Sequence, residues 1–320
     1  MKFVTLQALN KGHAGIILGE HVLDLVLAAR IIPGARLLPS SVRAILETEV
    51  EGLTLVRRIA ETVESERALW DQLLELGALM GRGQAKLTAP IPDPKLILSV
   101  GTNYRSHQAE MGGKVPSAPV AFIKCNGSII GTGDAIVLPP SNPQMVDFEG
   151  EFCVVIGKPC ERVAERDAMR HVAGYTLAND VSARDWVPHM RTAAIASDIT
   201  AFNQASLYNI IGKNFPTFCP LGPVLVTSDE IADPQAVTFK TDIDGNVMQL
   251  GDTGDMIFPI AFIISEFSRF FRFAPGDVIT TGSPAGAGMG RKPPRFLRPG
   301  ERVTITSDKI GGLENPVVAG

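Results

Sequence analysis

Three short stretches carry side chains whose types and spacing suit polar chemistry. In VDFEGEFCVVIG, Glu149 and Glu151 stand two residues apart in an otherwise apolar run. Along a strand, residues two apart share a face, so the carboxylates would point together while Phe148, Phe152 and Val154 take the other side. Two neighbouring anions repel, and a bound cation relieves that cost. Asp147 shares their parity and is a candidate third ligand or supporting acceptor. An edge strand whose acidic face is simply wet accounts for the same letters.

In YTLANDVSARDW, Asp180 falls where an apparent strand meets a polar corner. As a third carboxylate it completes the all-oxygen ligand set that Mg²⁺ or Mn²⁺ prefers. Equally, Asp180 caps a turn and Asp185 pairs with Arg184. In VGTNYRSHQAEMGG, His107 and Glu110 are three apart, which a short helix brings onto one face. A histidine oriented by a carboxylate has the composition of a general base, and a surface histidine beside a glutamate reads the same. Two glycine-rich corners remain. IIGKNFPTFCPLGP holds Lys213, and APGDVITTGSPAGAGMG holds Thr280, Thr281 and Ser283 before glycines that let backbone N–H groups approach an anion. Lys213, Arg184 and these hydroxyls are candidates to clamp a substrate carboxylate, against the plainer reading of tight turns with incidental polar residues.

These residues need elements to hold them. FVTLQAL, AGIIL and HVLDL read as short antiparallel strands. From about Pro39 to Leu79 the apolar period becomes helical, and Gly77, Gly81 and Gly83 end it. Pro90, Pro92 and Pro94 mark a boundary. Beyond it KLILSVG, APVAFIKC, AIVLPP, FEGEFCVVIG, GPVLVT and AVTFKTDIDG read as strands, with helices around Val163–Val172 and Ile260–Phe271. The expectation is a strand-rich α+β chain, with a small α+β domain over 1–90 and a larger domain over 91–320.

Composition narrows the function. The 320 residues can bury a sizeable core, and 30 Lys plus Arg against 34 Asp plus Glu give a formal charge of −4, with no global pull towards nucleic acid or anionic membrane. There is no GxGxxG or GxxxxGK[ST] motif to cradle a nucleotide. No long apolar run reads as a signal peptide or membrane span. Cys125, Cys153, Cys160 and Cys219 lack the paired spacing of a structural zinc site, and a reducing cytoplasm is expected.

In this order, SVGTNYRSHQAE, FIKCNGSIIGTGDAIVLPP, VDFEGEFCVVIG, VAGYTLANDVSARDW, TFCPLGPVLVTSDEI, GDTGDMIF and APGDVITTGSPAGAG resemble the fumarylacetoacetate hydrolase family. They cover most of Leu96 to Gly288. The resemblance implies a mixed β-sandwich roll, a homodimer, and Mg²⁺ or Mn²⁺ held by Glu149, Glu151 and Asp180. It also implies His107 as base with Glu110 as its orienting partner, Lys213 beside the reacting centre, and substrate contacts from Arg184, Thr281, Ser283 and Tyr104. The N-terminal part resembles the family's accessory domain less specifically.

Three departures stand out. Val187 occupies the position of a family glutamine, and Pro216 that of an aspartate. The interval from Asp180 to Lys213 is longer than the family norm, so HMRTAAIASDITAFNQASLYN is expected to add a helix or loop over the pocket or at a dimer interface. The implied substrate is a small 2-oxo acid. Hydrolysis of a C–C bond in an acylpyruvate-type 2,4-dioxo acid through a metal-stabilised enolate ranks first. Isomerisation of a 2-hydroxy-dienoate, decarboxylation of an oxaloacetate-like acid and dehydration of a 2-oxo-3-deoxy sugar acid follow. A binding protein that keeps a metal as a staple is the non-enzyme alternative.

Overall fold

A computed structural model describes residues 1–7, 12–185 and 199–320, so residues 186–198 of the extended interval, Val187 among them, lie outside the described residues. The alternating N-terminal segments form the strands Lys2–Leu6, His13–Leu18 and His21–Asp24, each antiparallel to the next, and Leu79–Gly81 adds to the last. The helical stretch resolves into Val42–Glu47, Val50–Ser65 and Arg67–Glu75. Ser41 starts the first of these, its hydroxyl accepting the Ala44 N–H at 3.2 Å. In the longest, Val56, Ile59 and Val63 recur at helical spacing and are buried in a cluster with Leu23, Leu25 and Ile45.

Lys2–Leu6 also pairs with Cys219–Thr227, placing Lys2 opposite Val226 and Phe3 opposite Leu225. The N-terminal strands therefore continue the main sheet. From Cys219–Thr227 that sheet proceeds through Val172–Asn179, Gly150–Ile156, Val278–Thr280, Ile97–Gly101 and Val120–Lys124. Only the Val278–Thr280 and Ile97–Gly101 pair in this series is parallel. A second sheet runs Asn246–Asp252, Thr238–Ile243, Arg302–Ser307, Gly311–Ala319 and Ile136–Leu138. Phe152 and Val154 from the first sheet and Phe239, Ile305 and Leu313 from the second share one buried cluster, so the sheets pack on a common core. The chain is strand-rich α+β, as its sequence pattern suggests.

Two details correct the reading of the glutamate strand. It starts at Gly150 rather than running through Glu149, because Val146–Asp147 leaves to form a separate ribbon with Ser182–Ala183. The Glu149 N–H turns instead to Asn179 Oδ1 at 3.0 Å, and the Gly150 N–H to Gln249 Oε1 at 2.9 Å. Nor is the strand a wet edge. Gly150–Ile156 has neighbours on both sides and every residue is buried.

The other helices match the pattern. Arg105–Met111 ends at Gly112, whose φ of 67° is a left-handed cap that glycine adopts without strain. Glu165–Ala168 continues into a 3₁₀ turn over Met169–His171, and Ile260–Phe267 packs its Ile260, Ile263, Ile264 and Phe267 into the core. The later part of the extended interval forms the helix Ile199–Ile211.

Candidate metal centre

Glu149 and Glu151 flank Gly150 at the start of a central strand, and Asp180 follows the neighbouring strand Val172–Asn179. Antiparallel pairing sets Gly150 opposite Asn179, and the Asp180 N–H donates to the Glu149 carbonyl at 2.8 Å. These links bring the three carboxylates together, with one oxygen from each within 4.8 Å of the others. All three are buried. Asp180 therefore joins the pair rather than capping a turn, and Asp185 receives the Gln144 N–H at 3.3 Å while Arg184 pairs elsewhere.

The cations around this cluster are engaged with it. Lys213 Nζ lies 2.7 Å from Glu149 Oε2 and 2.5 Å from Asp180 Oδ2, over the Phe122 ring. Lys124 Nζ donates to Asp180 Oδ1 at 2.6 Å and to the Lys213 carbonyl at 2.5 Å. The Arg184 guanidinium contacts Glu149 and lies 3.0 Å from Asp147 Oδ2, and its Nη1 donates to Asn209 Oδ1 at 3.2 Å. Lys124 and Asn209 thus extend the set named from sequence, while Asp147, one of the candidates named there, serves as an acceptor for Arg184. Lys124 had a legible signal: a lysine sharing parity with Phe122 in the strand Val120–Lys124.

Charge is not balanced here. Asp147, Glu149, Glu151 and Asp180 face Lys124, Arg184 and Lys213, four carboxylates against three cations. Burial acts to raise the Glu149 carboxyl, but Lys213 and Arg184 outweigh it and hold the group below its ordinary range. Glu151 lacks such a partner. Burial, then the charge of Asp180, pushes it up to about 8, against the opposing pull of the Thr280 hydroxyl and Lys213. It also accepts the Gly282 N–H at 2.8 Å. Burial likewise raises Asp147 despite Arg184. A buried oxygen cluster short of positive charge fits a hard divalent cation, and the residues that would hold Mg²⁺ or Mn²⁺ are Glu149, Glu151 and Asp180.

The cluster opens onto a cavity of about 340 Å³, within the usual size of small-ligand sites. His107, Lys213, Arg184 and Ser283 line it, together with the apolar Val100, Met111, Val120, Phe122, Ala287 and Met289. His107 Nδ1 is 3.7 Å from Glu110 Oε2, too far for a hydrogen bond, and among the described residues it has no hydrogen-bond partner. Both Glu110 oxygens instead accept the Gly286 N–H, at 3.1 and 3.0 Å. Gly286 has φ 98°, and a side chain there would meet the Met248 carbonyl, so this anchor requires glycine.

Two other residues named from sequence sit behind the wall. Tyr104 is fully buried in the core. The Thr281 hydroxyl donates to the Phe152 carbonyl at 2.8 Å. Neither lines the cavity.

A family model described as fumarylacetoacetate (FAA) hydrolase C-terminal matches residues 96–318. The oxaloacetate tautomerase YisK of Bacillus subtilis (strain 168) is 36% identical over 322 residues, covering 99% of this chain and 100% of that protein. The mitochondrial oxaloacetate tautomerase FAHD2A of Homo sapiens is 42% identical over 254 residues, covering 79% of this chain and 75% of that one. Among solved structures, the fumarylacetoacetate hydrolase from psychrophilic Exiguobacterium antarcticum superposes with a TM-score of 0.75 at 27% identity, each chain covered in full.

Proposed function

The chain belongs to the fumarylacetoacetate hydrolase family, and from that premise we propose that it is a divalent-metal-dependent tautomerase, converting the enol and keto forms of oxaloacetate or a close 2-oxo diacid. The observation that carries this reading is the end-to-end match to an oxaloacetate tautomerase, combined with a complete carboxylate triad at the cavity. It moves proton transfer ahead of the C–C hydrolysis that the sequence alone ranked first. Division of the chain into an accessory region over 1–90 and a catalytic region over 91–320 is part of the same proposal. So is a cytoplasmic homodimer, supported by four free thiols and by apolar Val120 and Ile123 exposed on the strand Val120–Lys124. Among the described residues no helix is long and apolar enough to cross a membrane.

Glu149, Glu151 and Asp180 would hold Mg²⁺ or Mn²⁺, whose chemistry there is Lewis-acid polarisation of the 2-oxo group. The chain's own residues handle the protons. Tautomerisation removes the proton from the enol oxygen at C2 and delivers one to C3, with no net change in atoms. His107 lines the cavity with its buried Nδ1 turned towards Glu110 and, among the described residues, without a hydrogen bond; its imidazole is assigned delivery of the proton to C3, while the proton lost from the enol oxygen passes to solvent. Glu110, anchored by Gly286, sets the reach of the helix that carries it. Lys213 and Arg184 offset the negative charge that grows on the 2-oxygen, acting from within the carboxylate cluster rather than as free clamps. The apolar residues among those lining the cavity limit the polar surface around the reacting carbon.

Those apolar lining residues favour a second reading, hydrolysis of an acylpyruvate whose acyl tail would contact side chains such as Phe122 and Met289. One assay separates the two. With Mg²⁺ or Mn²⁺ added, enol-oxaloacetate and a panel of acylpyruvates, 2-hydroxy-dienoates and 2-oxo-3-deoxy sugar acids are followed by enol absorbance and product mass. Faster loss of the oxaloacetate enol at unchanged mass, abolished in His107→Ala, is the expected result. Addition of water with pyruvate release makes the protein a hydrolase, loss of CO₂ a decarboxylase and loss of water a dehydratase. No metal-dependent turnover overturns the catalytic reading.

A further inference from the structure

Gln249 joins the two sheets at the cavity. It belongs to the strand Asn246–Asp252 of the five-stranded sheet and is buried. Its Oε1 accepts the Gly150 N–H at 2.9 Å, and its Nε2 donates to Ser283 Oγ at 2.7 Å and to the Pro284 carbonyl at 3.0 Å. These partners determine which way the amide faces, since an N–H needs the oxygen and a carbonyl needs the nitrogen. Thr241, from the same small sheet, occupies the space a side chain at Gly150 would need, so the sheets meet closely at this point.

A consequence follows for Ser283. Its oxygen accepts from Gln249, which leaves its own proton to be placed elsewhere. Among the described residues the acceptor it meets is the Pro284 carbonyl at 3.5 Å, beyond the span of about 2.5–3.0 Å for an O–H···O bond. Ser283 lines the cavity. We propose that Gln249 is a positioning residue that makes the Ser283 hydroxyl a donor towards the cavity, so this wall takes an oxygen acceptor of the ligand, a carboxylate or carbonyl oxygen. The same amide holds the backbone between Glu149 and Glu151. Gln249 itself does not touch the ligand. The inference rests on reading the cavity as a 2-oxo acid site, and to the Ser283 contact that the family resemblance implies it adds the residue that orients that hydroxyl.

The test uses binding rather than turnover. Mn²⁺ is titrated calorimetrically into metal-free protein, and oxalate into Mn²⁺-loaded protein, for wild type, Gln249→Met, Ser283→Ala and the double variant. Each single variant is expected to weaken oxalate about tenfold, the loss of one hydrogen bond to a charged group. The double variant should be no weaker than Ser283→Ala alone, since Gln249 acts through that hydroxyl. Gln249→Met should also weaken Mn²⁺ about tenfold, as removal of groups that orient metal ligands does.

A Gln249→Met protein that melts lower yet binds Mn²⁺ and oxalate as wild type does is only a bolt between sheets, and the proposal falls. Additive losses in the double variant, or wild-type oxalate affinity in Ser283→Ala, overturn it as well. Should Gln249→Met fail to fold, Gln249→Glu takes its place. Its carboxylate still accepts the Gly150 N–H but draws the Ser283 proton inward, so retained Mn²⁺ with weakened oxalate is expected and unchanged oxalate affinity is the overturning result. Because no readout requires catalysis, failure here and failure of the tautomerase reading are distinguishable.

Discussion

The Lys124 ammonium lies 2.6 Å from Asp180 Oδ1, and both side chains are buried. Lys213 reaches the other oxygen of the same carboxylate. Asp180 is therefore gripped on both sides, once from an outer strand of the sheet and once from the cavity wall.

Replacing Lys124 with methionine leaves Asp180 paired on one side and the Lys213 carbonyl without its donor. Breaking a buried ion pair in this way costs about 3–5 kcal/mol. The remaining Lys213 contact should keep the loss near the lower figure. Urea unfolding of the metal-free protein measures it, and an unchanged midpoint would show that the pair contributes nothing net.

Glu151 makes metal stabilisation depend on pH. Its folded carboxyl titrates near 8, against 4.5 as its ordinary value. Between those values the folded chain holds a proton that the unfolded chain has lost, so the metal-free protein loses stability as pH rises through the window. Below 4.5 that contribution is fully present. A cation removes the penalty by binding the ionised form. The gain in Tm on adding Mg²⁺ or Mn²⁺ is thus expected to grow from about pH 6 to about pH 9. In metal-free Glu151→Gln this decline with pH should disappear, and its persistence would assign the pH dependence to another group.

For His107→Ala the expectation is a separation of chemistry from binding. Turnover should fall about 10²–10⁴-fold, the usual contribution of a positioned acid–base group. The triad is untouched, so Mn²⁺ affinity should match wild type. If turnover survives, proton transfer belongs to another group at the cavity.

Gly282 supplies the backbone N–H that Glu151 receives, and it does so at φ 93° with Asn103 Cβ 3.1 Å from where its own Cβ would stand. Gly282→Ala should cost about 1–3 kcal/mol in backbone strain and weaken Mn²⁺ by displacing Glu151. A stable variant with normal Mn²⁺ affinity would mean the loop adjusts without moving its donor.

How much of this was legible depends on sequence distance. Glu149, Glu151 and Asp180 stand out because charged letters interrupt apolar runs, and two-residue parity places the glutamates together. Parity could not show that Val146–Asp147 would leave to pair with Ser182–Ala183, since strand ends are decided by partners elsewhere in the chain. The His107 helix is written locally, but its anchor is Gly286. Arg184 and Lys213 read as free clamps because a lone basic letter looks unpaired, whereas their partners are 35 and 64 residues away in Glu149. Tyr104 and Thr281 sit in polar, glycine-rich stretches that resemble a cavity wall, yet one side chain turns into the core and the other to the Phe152 carbonyl. Gln249 reads as one polar letter in NVMQLGD, and nothing local reveals that it meets Gly150.

The ladder between Lys2–Leu6 and Cys219–Thr227 has a practical bearing on attempts to dissect the protein. Trimming the chain to the family-matched residues would remove Lys2 and Phe3 from beside Val226 and Leu225. A row of bare amides would then face solvent next to buried Leu225 and Val226, the kind of open margin along which copies of a chain stack into aggregates. Viewed this way, the leading strands are the hem of the main sheet, and an insoluble fragment would report a cut hem rather than a property of the site.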